Sequence, residues 1–246
     1  MNVPNPTAAW EWLGGSLFLA LLWTNLAWLL RQPRYEKYIA PVTTWRFAPW
    51  LLQFLRLVYY IGLPYGALLW GRDAIVAGIL GLNVEKVGVA PAANWLDWAR
   101  DVGWAVTLGI CAWAMLALGW WAYNRALAAD AERRVAGAGA SGWVLLREAA
   151  YHQVHWAFYR NAPIVVLGAY WGTWAGLALV ALEAALNPAW REGCGDPGKV
   201  PVRLMYGALA VVSSVLFLLT QNLWLAVALH WGVSWGLAAL ARRASG

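Results

Sequence analysis

Long neutral apolar stretches alternate with short charged ones along this chain. Residues 13–30, 102–123, 161–182 and 204–241 contain no Asp, Glu, Lys or Arg. Each is long enough as a helix to cross a hydrocarbon core of about 30 Å, and the last is long enough to cross twice. The pattern predicts helices over 9–30, 48–70, 102–123, 143–160, 163–186, 203–220 and 222–240. Segments of about ten residues with alternating polarity, the mark of a membrane β-barrel, are missing. The expected fold is therefore an all-α polytopic transmembrane helical bundle with about seven spans, or six if 143–160 only re-enters.

The breakpoints follow from local chemistry. Pro64 is expected to kink the second helix, and Asn161-Ala162-Pro163 is expected to end the fourth. Residues 74–82 are too short to span, and 93–101 reads as an interfacial amphipathic turn. The run AGAGASG at 136–142 reads as a flexible hinge, 187–202 as a Gly/Pro-rich loop, and Gln221-Asn222 as a tight turn.

Composition agrees with the pattern: 62% of the 246 residues are hydrophobic and 12% are charged. A soluble domain carries roughly 25% charged residues. The net charge of +6 comes from basic residues that flank apolar runs. Such residues mark cytoplasmic membrane flanks in a cell (plasma or inner) membrane, so nucleic acid is not an expected partner. Placing 31–46 and 125–147 in the cytoplasm gives seven crossings if 143–160 spans. The first residues lack a basic n-region, so the first helix is expected to stay as an anchor. Cys111 and Cys194 imply no disulfide framework. Many of the 21 tryptophans, including Trp10, Trp12, Trp50, Trp70, Trp120 and Trp121, sit near run ends, where the bilayer interface lies.

The candidate chemistry lies in 147–159 and around His230. Glu148, His152, His155 and Tyr159 are spaced i, i+4, i+7 and i+11, which puts them on one helical face. Arg56 falls inside the second apolar run, either as a functional charge or as one that snorkels or pairs with a carboxylate. With His230, the three histidines and Glu148 offer N and O ligands for a divalent metal. His155-Trp156 and His230-Trp231 suit ligation of a tetrapyrrole. The plain alternative is a polar seam that stabilises helix packing by about 0.6–2 kcal/mol per interaction.

Two stretches resemble a known family. Residues 147–153, REAAYHQ, are similar to the first motif of the CPBP family (CAAX-protease and bacteriocin-processing membrane proteins, also called Abi). Residues 220–234, TQNLWLAVALHWGVS, are similar to its closing motif. The resemblance covers about 143–240 and implies a CPBP-like four-helix core over 143–246, preceded by three additional spans in 1–142. It implies an intramembrane endopeptidase in which Glu148 is the general base and His230 the oxyanion donor. The motifs are degraded: Arg147 replaces the first glutamate, His152 stands in place of Arg, Trp174 in place of His, and Ser234 in place of Asn. The expectation is therefore a protease-derived scaffold serving as a non-catalytic accessory or structural subunit, whose partners are the lipid bilayer and other membrane-protein subunits. The two rivals are an active endopeptidase and a pigment- or metal-binding subunit that uses His152, His155 and His230.

Overall fold

In the computed structural model, residues 6–71, 91–127 and 141–245 are described. Every regular element among them is helical. They are α1 (Pro6–Leu30), α2 (Glu36–Thr43), α3 (Ala48–Leu57), α4 (Leu63–Gly71), α5 (Pro91–Leu127), α6 (Gly142–Leu186), α7 (Pro188–Gly195), α8 (Val200–Thr220) and α9 (Leu223–Ser245). Five helices, α1, α5, α6, α8 and α9, are long and apolar enough to cross a membrane. That is the make-up of a multi-pass membrane protein. The segment 74–82 and most of the AGAGASG hinge lie outside the described residues.

Several boundaries differ from expectation for physical reasons. A π-helical turn, Val58–Gly62, joins α3 to α4, so the helix runs on from Ala48 to Gly71. Pro64 removes one hydrogen bond and crowds the carbonyl of residue 60 four positions back. The wide turn beside it absorbs that clash, so the kink expected at Pro64 takes this form. α5 is one helix of 37 residues, and 93–101 forms its first turns rather than a separate interfacial piece. Short helices α2 and α7 occupy the two connections expected to be loops, 31–46 and 187–202.

The largest correction concerns α6. Asn161-Ala162-Pro163 does not break it; all three residues are buried in continuous helix. The chain turns instead at Gly168 (φ 76°, ψ 170°), a region of backbone space that is essentially glycine-only. In a straight helix, residues 160 and 176 would lie about 24 Å apart. Here a Cβ built on Gly176 would come within 2.7 Å of the Arg160 Cα, and one on Gly172 within 2.4 Å of the Ile164 Cα. α6 is therefore a helical hairpin, and its second arm (169–186) returns along its first (142–167). Gly168, Gly172 and Gly176 form a G-x-x-x-G-x-x-x-G row, the spacing that allows close backbone approach between membrane helices.

Capping residues fix the remaining ends. Ser141 accepts from Val144 N at the start of α6, and Asn187 Oδ1 accepts from Ala189 N and Trp190 N at the start of α7. α8 ends on left-handed Gln221, and Asn222 Oδ1 caps α9 by accepting from Trp224 N and Leu225 N. This is the tight turn expected there. The core draws on both halves of the chain: Leu13 and Ala67 pack with Phe158, Tyr159 and Ala162, while Ala105 and Ala112 pack with Trp156, Leu209 and Leu229.

Candidate functional site

The first arm of α6 is the axis of the candidate site. Of its residues, Ala149, Tyr151, Gln153, His155, Trp156 and Tyr159 are buried. All four predicted site residues lie on or against this arm, but the structure divides them between two neighbourhoods.

The first neighbourhood faces α3 and the π turn. Arg56 grips Glu148 with both ends of its guanidinium, Nη1 to Oε1 at 3.0 Å and Nη2 to Oε2 at 2.5 Å. Arg147 adds a third bond, Nη2 to Oε1 at 2.9 Å. The fork geometry is the one in which an arginine binds a carboxylate most strongly. Arg56 also lies over the Tyr60 and Tyr151 rings, which stack 5.5 Å apart at 10°. The π turn sets Tyr59 and Tyr60, neighbours in sequence, both against His155 at ring distances of 5.4 and 5.2 Å. His155 Nε2 lies 2.9 Å from Oε2 of Glu183 on the second arm. Tyr159, fully buried, packs on the same imidazole at 4.3 Å, and the Tyr59 hydroxyl donates to the Ser16 carbonyl of α1 at 3.3 Å.

The second neighbourhood faces α8 and α9. The Gln153 amide Nε2 lies 3.1 Å from His230 Nδ1, and as an NH₂ group it donates to that nitrogen. The His230 ring stacks on His152 (5.6 Å, 16°) and on Trp156 (5.5 Å, 19°), and Tyr206 closes the group at 4.8 Å from His152. These rings fill the gap between the arm and the closing helices.

The predicted set is thus only partly assembled. His152 meets His230, whereas Glu148 and His155 take separate partners. Among the described residues no group of three or more His, Cys, Asp or Glu side chains is placed to hold a metal ion. Glu148, His152, His155 and His230 are not gathered into one ligand shell in this arrangement: Glu148 is paired with Arg56 and His155 with Glu183. No hydrogen bond or ring contact among the described residues joins Glu148 to His230, the pair required for base and oxyanion donor. Trp174 and Ser234 sit on the second arm and on α9, half-buried and buried respectively.

Sequence reasoning overlooked Gln153, Glu183, Tyr206 and Arg160. Glu183 ends the neutral run 161–182 and reads as a flank; only the fold-back at Gly168 carries it to His155. Arg160 is buried at 2% exposure with its Nη2 on Ser214 Oγ at 3.0 Å and its guanidinium over Phe217. Among the described residues it has no carboxylate partner. Its signal was available, since an arginine thirteen residues past Arg147 lies too deep in the arm for both to be flanks.

Comparison with protein-family models, with curated proteins and with solved structures gave no match.

Proposed function

We propose that this chain is a non-catalytic structural subunit of a larger membrane complex, built on a seven-crossing bundle whose residues 143–240 keep a CPBP-like helix order. The observation that carries this reading is the state of Glu148. Both of its oxygens are bound, by Arg56 and Arg147. A general base needs a free lone pair within reach of the water it activates. Two guanidiniums occupy three of this carboxylate's roughly four acceptor positions and hold it against α3, and the oxyanion donor expected at His230 is turned to Gln153.

The count of seven is supported by treating the two arms of α6 as separate crossings and Ala48 to Gly71 as one more. The directions agree. Gly142 lies against Trp235, and Gly109 and Trp113 of α5 lie against Leu229 and Gly236 of α9. α5 and α9 then run parallel, and the first arm of α6 runs against both. With Trp28 of α1 bonded to Glu192 of α7, these directions bring Arg31, Arg125, Arg147, Arg191 and Arg242-Arg243 to one face, which the positive-inside rule makes cytoplasmic. The opposite turns at Gly168 and Gln221-Asn222 carry no charge. The proposed location is accordingly a plasma or inner membrane. Outward-facing Trp143, Trp171 and Trp224 supply apolar surface for lipid and neighbouring subunits.

The test is native mass measurement of the gently solubilised protein from its own cell, paired with a cleavage assay on a membrane-embedded peptide. A multi-subunit assembly that persists in Glu148→Gln and falls apart in Trp143→Ala/Trp171→Ala/Trp224→Ala supports the proposal. A chain that runs alone and loses a cleavage activity in Glu148→Ala overturns it in favour of the endopeptidase.

A further inference from the structure

The His155–Glu183 pair has no part in the proposal for Glu148, and it is unusual for an apolar bundle. The pair ties the two arms of α6 together across the hairpin, with His155 Nε2 2.9 Å from Glu183 Oε2. The imidazole is 3% exposed, and its Nδ1 is buried with no partner. The Glu183 side chain is 18% exposed, so the carboxylate is the open end of the pair and the imidazole the closed end.

The groups around the imidazole come from every neighbouring element. Tyr59 and Tyr60 approach from the π turn, with Ser16 of α1 behind Tyr59. Tyr159 and His152 flank it on its own arm. Of the arginines on α3 and on this arm, Arg56 and Arg147 are committed to Glu148, and Arg160 is turned to Ser214 and Phe217. Nothing else charged among these neighbours offsets Glu183.

Charge bookkeeping then decides what the pair does. With a neutral imidazole and an ionised carboxylate, the site holds one uncompensated negative charge in apolar surroundings. With one proton added, it is neutral overall. An unpaired charge in such a place is strongly disfavoured, and intramembrane acid–imidazole pairs are where protons are carried. Histidine accepts a proton at one ring nitrogen while the other is free to donate. Only N–H and O–H bonds form or break, so no oxidant or reductant is needed.

We propose that His155 and Glu183 form a proton-binding site inside the bundle, loaded from water at the Glu183 end. The Glu183 oxygen takes the proton from hydronium, which leaves as water, and shares it with the Nε2 lone pair of an imidazole whose own hydrogen is on Nδ1; the same proton leaves by the reverse route. Tyr59, Tyr60 and Tyr159 wall off the imidazole and keep the proton from leaking further. The site does not depend on whether the chain is a subunit.

The test uses the full chain in lipid nanodiscs with isotopically labelled histidine, followed by infrared difference spectroscopy across a pH series in which the helical signal is retained. The expected result is one titrating imidazole per chain. It is lost in His155→Gln and in Glu183→Gln, which keeps the hydrogen bond but not the charge, and it is retained with a shifted midpoint in Glu183→Asp. An identical titration in Glu183→Gln, or no titrating imidazole in the unaltered chain, overturns the proposal. Helical circular dichroism on each sample separates loss of the site from loss of the fold.

Discussion

Replacing Gly172 with alanine tests the hairpin directly. A Cβ at 172 would lie 2.4 Å from the Cα and 2.5 Å from the N of Ile164. Both are backbone atoms, which cannot rotate aside, so the arms must separate. Overpacking of this kind costs typically 1–3 kcal/mol. Here the upper part of that range applies, because separation also loosens the Arg160–Gly176 contact one turn on, where the same construction gives 2.6 Å to Arg160 Cγ. A cost of about 2–3 kcal/mol shifts the unfolding equilibrium roughly 30- to 150-fold. Gly119→Ala in α5 is the matched control, because nothing lies within 4 Å of its Cβ. There alanine removes backbone entropy from the unfolded chain and is neutral or stabilising by up to about 1 kcal/mol. Gly168→Ala falls between: its surroundings are open, but φ 76° and ψ 170° cost alanine about 1–3 kcal/mol. Tryptophan fluorescence during denaturant unfolding in mixed micelles ranks the three. If Gly172→Ala unfolds together with Gly119→Ala, the fold-back is refuted.

Other perturbations probe the polar clusters and the orientation. A double-mutant cycle on Arg56→Met and Glu148→Gln is expected to return a coupling of about 1–3 kcal/mol, between the values for exposed and buried pairs; unfolding measurements that return additivity within about 0.3 kcal/mol would count against the fork. Gln153→Leu leaves His230 Nδ1 without its donor and is expected to cost about 1–3 kcal/mol in the same assay. Arg160→Met removes a buried guanidinium that has no acid partner among the described residues, and is expected to be neutral or stabilising by up to about 1–4 kcal/mol; a large destabilisation would mean that Ser214 and Phe217 hold it better than their geometry suggests. Cys194, exposed in α7, is expected to react with an impermeant thiol reagent only from the face that carries the arginine-rich connections, which labelling of intact cells against inverted vesicles would check.

Runs of neutral apolar residues made the helices legible, because backbone polar groups in lipid leave few alternatives to a helix. Proline and the dipeptide Asn161-Ala162 misled, because a helix packed on all sides keeps its course through one missing hydrogen bond. The true turn at Gly168 was written in the sequence as a glycine row, but glycine in a membrane helix marks both turns and close contacts, and the pattern alone does not tell them apart. The tight turn at Gln221-Asn222 was legible for the opposite reason: the Asn222 side chain bonds its own backbone, so no distant partner decides the outcome.

The candidate site was half legible for a geometric reason. At about 100° per residue, Glu148, His155 and Tyr159 fall within about 40° of one another around the first arm of α6, with Tyr151 beside them. His152, Trp156 and Gln153 follow progressively further round on the other side. Spacing gives this order but not where neighbouring helices meet the arm. In the fold, α3 and its π turn take the first group, and α8 and α9 take the second, so the seam between neighbours cuts through the polar face. Glu148 goes to Arg56, His155 to Glu183, and His152 to His230. A protease needs its base and its oxyanion donor on one side of such a seam, with space between them. Here each is bonded to a different element, and freeing Glu148 from Arg56 would leave it without the donor. The partition of the arm's face, more than any single lost motif residue, is what argues for packing over catalysis at this site.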